Sequence, residues 1–456
     1  MSDASEQNGN ANGPGNSVRP TAAPPRNPDG ASRTWRALRH RNFRLFFGGQ
    51  TISLVGTWMT RVATAWLVYR LTKSALLLGT ISFAGQIPTF IFAPFAGVLI
   101  DRLDRRQVLV WTQVLSMVQS LALAALTFSG HITIHWILGL SVLQGIVNAF
   151  DMPARQSFMV QMVEDRADLS NAIAINSSMV NAARLIGPSL AGMLIAVTSE
   201  GWCFLVDGIS YIAVIVSLLM MRLPPAAVRR VATSTWTELR VGWDYVSQFL
   251  PIRTILMLFA VISLMGMPFI VLMPLFAAQV LRGGPHTLGF LMAANGCGAL
   301  ISAIWLASRK SVLGLIRVLP VAAAVFGFGL IGFGLSHTFW LSMITVFVAG
   351  MGMMLGMAAS NTVIQTLVTD DKRGRVMSYY TMAFMGMAPF GSLLAGSLAH
   401  IVGAPLTVIV NGSAVILGAA WFTSRLPSIR KVVHPIYQEM GIIPAAKEMA
   451  AEQVQS

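Results

Sequence analysis

The sequence predicts an all-α membrane protein with twelve transmembrane helices in two six-helix halves. Three observations predict it. Long apolar runs recur along the chain, positive charge is confined to one set of connecting segments, and a long polar interruption separates six runs from six. The 456 residues are 55% hydrophobic and have a mean hydropathy of +0.66. This composition is typical of a polytopic membrane protein rather than of a large soluble core.

Each predicted helix is an apolar run about as long as a bilayer is thick. A helix that crosses a bilayer needs roughly 20 mainly apolar residues. Twelve runs meet this requirement, near 45–69, 76–100, 107–128, 136–150, 172–198, 202–221, 253–276, 286–306, 313–335, 340–362, 377–401 and 405–424. The fourth run is short, and we expect its helix to continue toward Met162. Strands of a barrel are not expected, because the runs lack a two-residue alternation.

The distribution of Lys and Arg predicts the topology. With the N-terminus inside, 27 of the 32 Lys and Arg residues fall in cytoplasmic segments, three in outer loops and two within spans. This asymmetry follows the positive-inside rule. We therefore expect a multi-pass protein of the cell (inner) membrane with both termini cytoplasmic. The net charge of +14 then reflects topology, and the alternative, a basic nucleic-acid-binding surface, is disfavoured.

Polar segments mark the predicted domain boundaries. The chain divides into a disordered cytoplasmic N-terminal tail, a first six-helix bundle, a cytoplasmic linker with an amphipathic helix, a second six-helix bundle and a cytoplasmic C-terminal tail, at 1–40, 41–222, 223–252, 253–425 and 426–456. The linker helix suits either the membrane interface or solvent, and the sequence leaves both open. Cys203 and Cys297 lie in different halves, so neither a disulfide framework nor a metal site is expected.

Short matches between the halves indicate an internal repeat. The segment "GPSLAG" (187–192) aligns with "GSLLAG" (391–396) at an offset of 204 residues, and "LGTISFAG" (78–85) aligns with "LGFLMAAN" (288–295) at an offset of 210. Each match is weak alone. Together they predict duplicated halves related about an axis along the membrane normal.

The loop between the second and third spans carries an unusual concentration of charge. It reads "GVLIDRLDRR" (97–106), in the pattern G-x-x-x-D-R-x-x-R-R. This pattern resembles the loop signature of the major facilitator superfamily of secondary transporters, which implies the fold of that superfamily. Asp104 stands where the usual pattern has glycine, so the turn is expected to be built differently.

The resemblance implies that this loop forms a cytoplasmic latch. Gly97 would let helices approach closely, and Asp101 would face the N-terminal end of the eleventh span near Arg375. A carboxylate at a helix N-terminus gains about 0.3–2 kcal/mol. The other latch residues are Arg102, Arg105, Arg106, Asp151 and Arg155. The alternative is that these loops only fix topology.

The loop after the fourth span extends the expected latch. Asp151 opens the segment "DMPARQ" and is expected to pair with Arg102 or Arg106, while Arg155 lies one turn further on. Together with "RADLSNAIAINS", "ARLIGPSLAG" and "RGRVMSYYTMAFMGMAPFGSLLAG", this segment resembles the enterobactin-exporter-like branch of the superfamily, the transmembrane secretion effectors. That resemblance covers roughly 36–426. It implies proton-driven export of siderophores, drugs or other amphipathic metabolites.

Charged residues within spans are candidates for ion coupling. A charge at the centre of a bilayer costs about 2.5–3.5 kcal/mol on insertion scales. The chain has three, Arg61, Arg184 and Asp207, all in the first half. Arg61 and Asp207 lie at similar depths and are expected to pair, whereas Arg184 is expected to face the central cavity. Our hypothesis is that Asp207 exchanges a proton during transport, tuned by Arg61. A permanently ionised pair that joins helices is the alternative.

Two further groups of residues are assigned by the resemblance. Gly187, Pro188 and Gly192 resemble the Gly-Pro motif of proton-driven drug exporters on the fifth span, and ordinary packing of small residues explains them nearly as well. Spans four and ten line the cavity in this superfamily. The substrate-cavity candidates are therefore Gln144, Asn148 and Asn361.

These observations predict a transporter and exclude several other classes. The sequence contains no H-E-x-x-H, G-x-S-x-G or G-x-x-x-x-G-K-[ST] motif, so an enzyme or an ATP-driven pump within this chain is not expected. We expect a proton-coupled antiporter for efflux of a small amphipathic molecule. It would work by alternating access as a monomer in the lipid bilayer, with no cofactor and the proton gradient as its energy source. An uptake carrier and a non-transporting sensor or partner subunit remain the alternatives.

Overall fold

The computed structural model describes residues 35–100, 103–163, 165, 168–222, 235–309, 311–440 and 442. Within them the chain is almost entirely helical. The first half comprises α1 (Arg41–Thr72), α2 (Ala75–Ile100), α3 (Arg105–Phe128), α4 (Ile134–Met162), α5 (Leu169–Val197) and α6 (Glu200–Met220). The tail predicted to be disordered falls mainly on 1–34, outside the described residues.

The second half repeats this succession of long helices after a linker helix at Thr235–Gln248. It comprises α7 (Leu250–Val280, interrupted by π-helical turns), α8 (Pro285–Ser308), α9 (Leu315–Leu335), α10 (Phe339–Leu367), α11 (Asp370–Thr381, a π-helical turn at Met382–Gly386, and Ala388–Val402) and α12 (Ala404–Glu439). The expected extension of the fourth helix to Met162 is confirmed.

Eleven helices of the described part are long and apolar enough to cross a membrane. The first predicted span forms one continuous helix of 32 residues, α1, but it is not among the eleven. Its polar content, which includes Gln50 and Arg61, lowers its hydropathy. The chain is therefore an all-helical membrane protein, and the count of twelve spans stays a prediction.

Two glycine pairs join the halves, and they occupy equivalent places. A Cβ added at Gly192 on α5 would lie 3.0 Å from the Gly289 Cα on α8, and one added at Gly396 on α11 would lie 2.9 Å from the Gly79 Cα on α2. The offsets of 204 and 210 residues found in the sequence carry one pair onto the other. The helices therefore meet with almost no space between their backbones, and the predicted repeat is confirmed at its closest contacts.

The halves make their closest contacts toward one face of the bundle. We call the face where α1 begins and α12 ends the terminal face, and the other the opposite face. Both glycine pairs lie toward the opposite face. At the terminal ends of α2 and α11, a Cβ at Gly97 or Gly374 would meet nothing within 4 Å among the described residues. Phe95, near the terminal end of α2, is 68% exposed. Among the described residues these positions therefore show no close contact between α2 and α11 at the terminal face.

The linker helix packs on the terminal end of α11. The rings of Trp243 and Tyr379 lie 5.9 Å apart, and the Lys372 ammonium lies 4.6 Å from the centre of the Tyr245 ring. A Cβ at Gly242 would lie 3.0 Å from the Tyr379 ring. The linker helix is thus held against the second half.

Candidate functional site

Asp207 lies in a cage of hydroxyl groups between three helices of the first half. Its side chain on α6 is 2% exposed. Thr60 of α1 and Ser120 of α3 donate hydrogen bonds to Oδ2 at 2.8 and 2.9 Å. The Thr57 hydroxyl lies 3.5 Å from Oδ1, at the long end of hydrogen-bonding distance. A Cβ at Gly56 would lie 2.9 Å from both Oδ1 and Cα of Asp207. The residue of α1 that faces the carboxyl must therefore have no side chain.

The expected direct pair between Arg61 and Asp207 is not formed. Among the described residues no ion pair within 4 Å involves either of them. The physical reason is local. Hydroxyl groups donate hydrogen bonds to the carboxyl of Asp207, and the guanidinium of Arg61 lies over the Trp58 ring instead. The alternative of a permanent ion pair therefore loses its geometric basis. Because hydroxyl groups both donate and accept hydrogen bonds, the cage accommodates either protonation state of Asp207.

Arg61 and Arg184 meet at Trp58 near the interface between the halves. The guanidinium carbon of Arg61 lies 4.7 Å from the centre of the Trp58 ring, and that of Arg184 lies 5.8 Å from it. Both distances are within the range of cation–π contacts. The structure thus joins two of the three predicted coupling residues through an indole that the sequence analysis missed.

Arg184 also connects the two halves directly. Its Nη2 donates a hydrogen bond to Oδ1 of Asn295 on α8 at 3.1 Å. Asn295 is 3% exposed, and its Nδ2 has no hydrogen-bond partner. A small pocket of about 20 Å³ lies here, enough for one water, and its lining residues are Trp58, Arg184, Pro188, Ile270, Met273, Met292 and Asn295. The expectation that Arg184 faces the centre of the molecule agrees with this placement.

A chain of polar side chains extends from the cage toward the terminal face. The Thr57 hydroxyl lies 3.5 Å from that of Tyr211, which interacts in turn with Ser116. Gln144 of α4 donates hydrogen bonds at 3.2 Å to Ser116 and to Asn148. The cavity candidates Gln144 and Asn148 are therefore hydrogen-bonded within the first half. The third candidate, Asn361, accepts a hydrogen bond from Gln365 one turn along α10.

Asp151 follows one turn after Asn148, and its partners differ from those expected. Arg155, on the next turn of α4, donates to Oδ2 at 2.5 Å, and Thr112 and Gln113 of α3 donate to Oδ1 at 3.0 and 2.7 Å. Arg106 instead donates to the backbone carbonyl of Leu219 at 2.6 Å, at the end of α6. The predicted Asp151–Arg106 pair is therefore wrong, because both groups satisfy their hydrogen bonds closer by.

The latch loop is described only in part. Asp101 and Arg102 lie outside the described residues, so their expected contact with α11 stays a prediction. Arg105 opens α3. Among the described residues the close helix approach expected at Gly97 is not formed, since a Cβ there would meet nothing within 4 Å. Asp104 replaces the usual glycine by capping α3: Oδ1 accepts hydrogen bonds from the backbone N–H groups of residues 106 and 107 at 2.8 and 3.3 Å.

The Gly-Pro segment of α5 packs against both halves. A Cβ at Gly187 would clash with the Cβ of Trp58 on α1, so Gly187 lets α5 approach the backbone of α1 at the residue that carries the indole. Gly192 contacts Gly289 and the Pro285 carbonyl of α8. The helix-packing assignment thus agrees with the structure at Gly187 and Gly192, and Pro188 lies inside the helix beside the small pocket.

Sequence reasoning missed Trp58 and the hydroxyl cage of Asp207, and although Asn295 is one of the polar span residues that could hydrogen-bond substrate, the sequence did not connect it with Arg184. Thr57 and Thr60 precede Arg61 on one helix, which is a weak signal for a polar helix face. Nothing in the sequence linked Ser120 or Asn295 to it, because those contacts join distant segments.

Comparison with known proteins identifies the family. The family model described as transmembrane secretion effector matches residues 32–440. The chain belongs to this family. The staphyloferrin A transporter of Staphylococcus aureus is 26% identical over 374 residues, covering 82% of this chain and 93% of that protein. The multidrug efflux pump Tap of Mycolicibacterium fortuitum is 27% identical, covering 79% of this chain and 90% of the pump.

Solved structures show the same fold. A bacterial homologue of the human lysosomal transporter Spinster, in an inward-facing and occupied conformation, superposes with a TM-score of 0.67 at 12% identity, covering 88% of this chain and 98% of that one. The family and its relatives are transporters, not enzymes. The prediction of a major facilitator transporter with efflux-type relatives is therefore confirmed.

Proposed function

We propose that this transporter is a proton-coupled exporter of a small amphipathic molecule, in which Asp207 carries the coupled proton. We place it in the cell (inner) membrane as a monomer, with both termini and the terminal face cytoplasmic, with no cofactor, and with the proton gradient as energy source. The relatives named for efflux support export, and the positive-inside asymmetry supports the orientation.

The observation that carries the coupling proposal is the cage around Asp207. A carboxyl inside a membrane protein is costly when ionised and is a functional candidate by default. Here Thr60 and Ser120 supply its short contacts, with no cation within 4 Å in the described part of the chain. A proton can therefore bind without breaking an ion pair.

The transport cycle follows from the position of Asp207 and from the face at which the halves touch. Asp207 lies seven residues after the start of α6, roughly 10 Å along the helix from the opposite face. In the outward-open state it would take a proton from outside. After the change of state, the polar chain through Tyr211, Gln144 and Asn148 would lead the proton toward the cytoplasm. Substrate would enter between the halves at the terminal face and leave at the opposite face after the glycine pairs separate.

The test follows the proton gradient in everted membrane vesicles with a fluorescent probe while amphipathic compounds are added. Wild-type protein is expected to give a compound-dependent proton leak, and Asp207→Asn is expected to abolish it while the protein remains in the membrane. Glu200→Gln is the matched control, because it also neutralises a buried carboxyl of the first half but lies outside the latch and the polar chain. Leak that persists in Asp207→Asn would contradict the role of Asp207. Compound accumulation against the predicted direction would favour an uptake carrier, and no transport of any compound would favour a sensor.

A further inference from the structure

Two arginines near the middle of the molecule, Arg61 and Arg184, have no carboxylate oxygen within 4 Å among the described residues. Arg184 lies midway along α5, and Arg61 lies on the neighbouring α1. In the part of the chain that the structure describes, the ion pairs belong to other residues: Arg36 and His40 with Asp168, Arg70 with Glu200, and Arg155 with Asp151. Two like charges share the Trp58 ring: Arg61 lies within electrostatic range of Asp207 but forms no ion pair with it within 4 Å, and Arg184 has no carboxylate that close among the described residues. Such an arrangement is costly inside a membrane unless a ligand or a second state compensates it.

Asp207 interacts with Arg61 only at a distance, without a direct ion pair, and it gives Arg184 no counter-ion among the described residues. Its oxygens accept hydrogen bonds from Thr60 and Ser120, and Gly56 brings α1 directly against it. The carboxyl is thereby fixed between α1, α3 and α6, whereas Arg184 reaches α8 on the other side of α1. The positive charge at Trp58 therefore remains available to a group from outside the protein.

Arg61, Arg184 and Asn295 have N–H donors beside Trp58 that make no hydrogen bond within the described residues, and these donors suit an anion. A guanidinium has five N–H donors. Arg184 donates one of them to Asn295, and within the described residues Arg61 has no hydrogen bond. The Nδ2 of Asn295, a donor on a side chain that is 97% buried, has no partner. A buried donor without an acceptor costs free energy, so a carboxylate bound here would satisfy both arginines and the amide.

The second half contributes an apolar wall. Ile270 and Met273 of α7 and Met292 of α8 line the same pocket. Methionine side chains adapt to ligands of varied shape. The site thus combines a cationic side with an apolar side. Its volume of about 20 Å³ holds one water in this state, so a ligand with an anionic group beside an apolar body would bind here once the halves move apart.

We propose that the substrate of this transporter is an amphipathic carboxylate, held by Arg61, Arg184 and Asn295 with its apolar part against Trp58 and the methionines. This inference rests on the proposed transport function, since it takes the gap between the halves as the substrate site. It goes beyond that proposal by assigning the charge of the substrate and the residues that recognise it.

The test measures binding to the purified full-length protein by isothermal titration calorimetry. The probes form a matched set with the same ring system: naphthaleneacetate is anionic, naphthaleneacetamide is neutral and naphthylethylamine is cationic. Wild-type protein is expected to bind the carboxylate about tenfold or more tightly than the amide, since charge-assisted hydrogen bonds are roughly twice as strong as neutral ones. The amine is expected to bind most weakly.

Variants separate recognition from folding. Arg184→Gln and Arg61→Gln are each expected to reduce the carboxylate-to-amide preference toward one, and Arg184→Lys is expected to keep part of it. Arg317→Gln, at an exposed arginine of α9, is the control and is expected to leave it unchanged. A carboxylate that binds no more tightly than the amide, or not at all, would overturn the proposal, as would an unchanged preference in both glutamine variants.

The outcome is independent of the proton-coupling test. Binding is measured without a gradient, so a failure of Asp207 to couple protons leaves the carboxylate preference intact. Conversely, a compound-dependent proton leak that involves only neutral or cationic compounds would uphold export and overturn this assignment of the substrate.

Discussion

The two halves of the molecule share their packing and differ in their charge. Both glycine pairs at the opposite face are equivalent under the repeat. The same offset of 204 residues carries Asp207-Gly208 of α6 onto Asn411-Gly412 of α12, and Asp207 and Asn411 are each 2% exposed. It also carries Arg184 onto Ala388. The positions where helices touch are thus duplicated, whereas the intramembrane charges belong to one half.

The surroundings of the two equivalent side chains differ as well. Asp207 accepts hydrogen bonds from Thr60 and Ser120, but the Nδ2 of Asn411 has no partner. Hydroxyl groups therefore surround the side chain of Asp207 in the first half, whereas no such cage surrounds Asn411 among the described residues of the second half. This difference teaches that two equivalent positions of the repeat can have different side-chain environments.

Exchanging the two side chains tests this comparison with the largest expected effect. Asn411→Asp is expected to lower the stability of the protein by about 2.5–3.5 kcal/mol when the carboxyl is ionised, because no cage compensates it. Asp207→Asn is expected to cost much less, since the hydroxyl groups can donate to an amide oxygen. Thermal unfolding of the detergent-purified variants measures both. Equal losses in the two variants would show that the environments are equivalent.

Substitutions in the glycine pairs test the close helix packing that the two halves share. Gly192→Ala and Gly396→Ala are each expected to destabilise the protein by about 1–3 kcal/mol through overpacking, because the added Cβ would lie 2.8 Å from the carbonyl oxygen of Pro285 or of Ala75. The two losses are expected to agree. Gly48→Ala is the control, since a Cβ there meets nothing within 4 Å. Unfolding temperatures measure all three, and a loss at only one glycine would contradict equivalent packing.

The sequence predicted the shared features better than the asymmetric ones. Apolar length and charge asymmetry predicted the helices because membrane insertion depends on exactly those local quantities, and the offsets predicted the glycine contacts. The hydroxyl cage of Asp207 and the bridge from Arg184 to Asn295 join residues 87 and 111 positions apart. No local pattern encodes such contacts. For the same reason the expected pairs Arg61–Asp207 and Arg106–Asp151 were wrong, while the alternative partner Arg102 lies outside the described residues.

Breaking the ion pair between Arg155 and Asp151 on α4 is expected to lower the stability of the protein moderately, through contacts that lie within the first half. Arg155→Gln is expected to cost about 1 kcal/mol, because Thr112 and Gln113 continue to donate to Asp151 and partly exposed pairs contribute little. Asp151→Asn is expected to cost somewhat more, since it weakens four hydrogen bonds from three residues together. A double-mutant cycle measured by thermal unfolding isolates the pair. A coupling energy near zero would show that Arg155 contributes to the membrane topology and not to the stability of the protein.

The last comparison concerns how the two halves begin an equivalent helix, and its smallest expected effect is that of Asp104→Gly. The offset of 210 residues carries Asp104, the cap of α3, onto Gly314, the residue before α9. Asp104 has a φ of −68° and caps through its carboxylate, whereas Gly314 has a φ of +82° and caps through its backbone. Asp104→Ala is expected to cost about 1 kcal/mol, and Asp104→Gly only a few tenths.

At Gly314 the expected effect of alanine comes from backbone strain instead. Gly314→Ala is expected to cost about 1–2 kcal/mol, because an alanine resists the left-handed conformation, and its Cβ would meet only the far end of the Arg309 side chain at 3.9 Å. Thermal unfolding of the three variants measures the contrast. If Asp104→Gly cost as much as Asp104→Ala, then the carboxylate contacts would matter more than the turn. The two halves would then begin this helix by mechanisms that cannot replace each other.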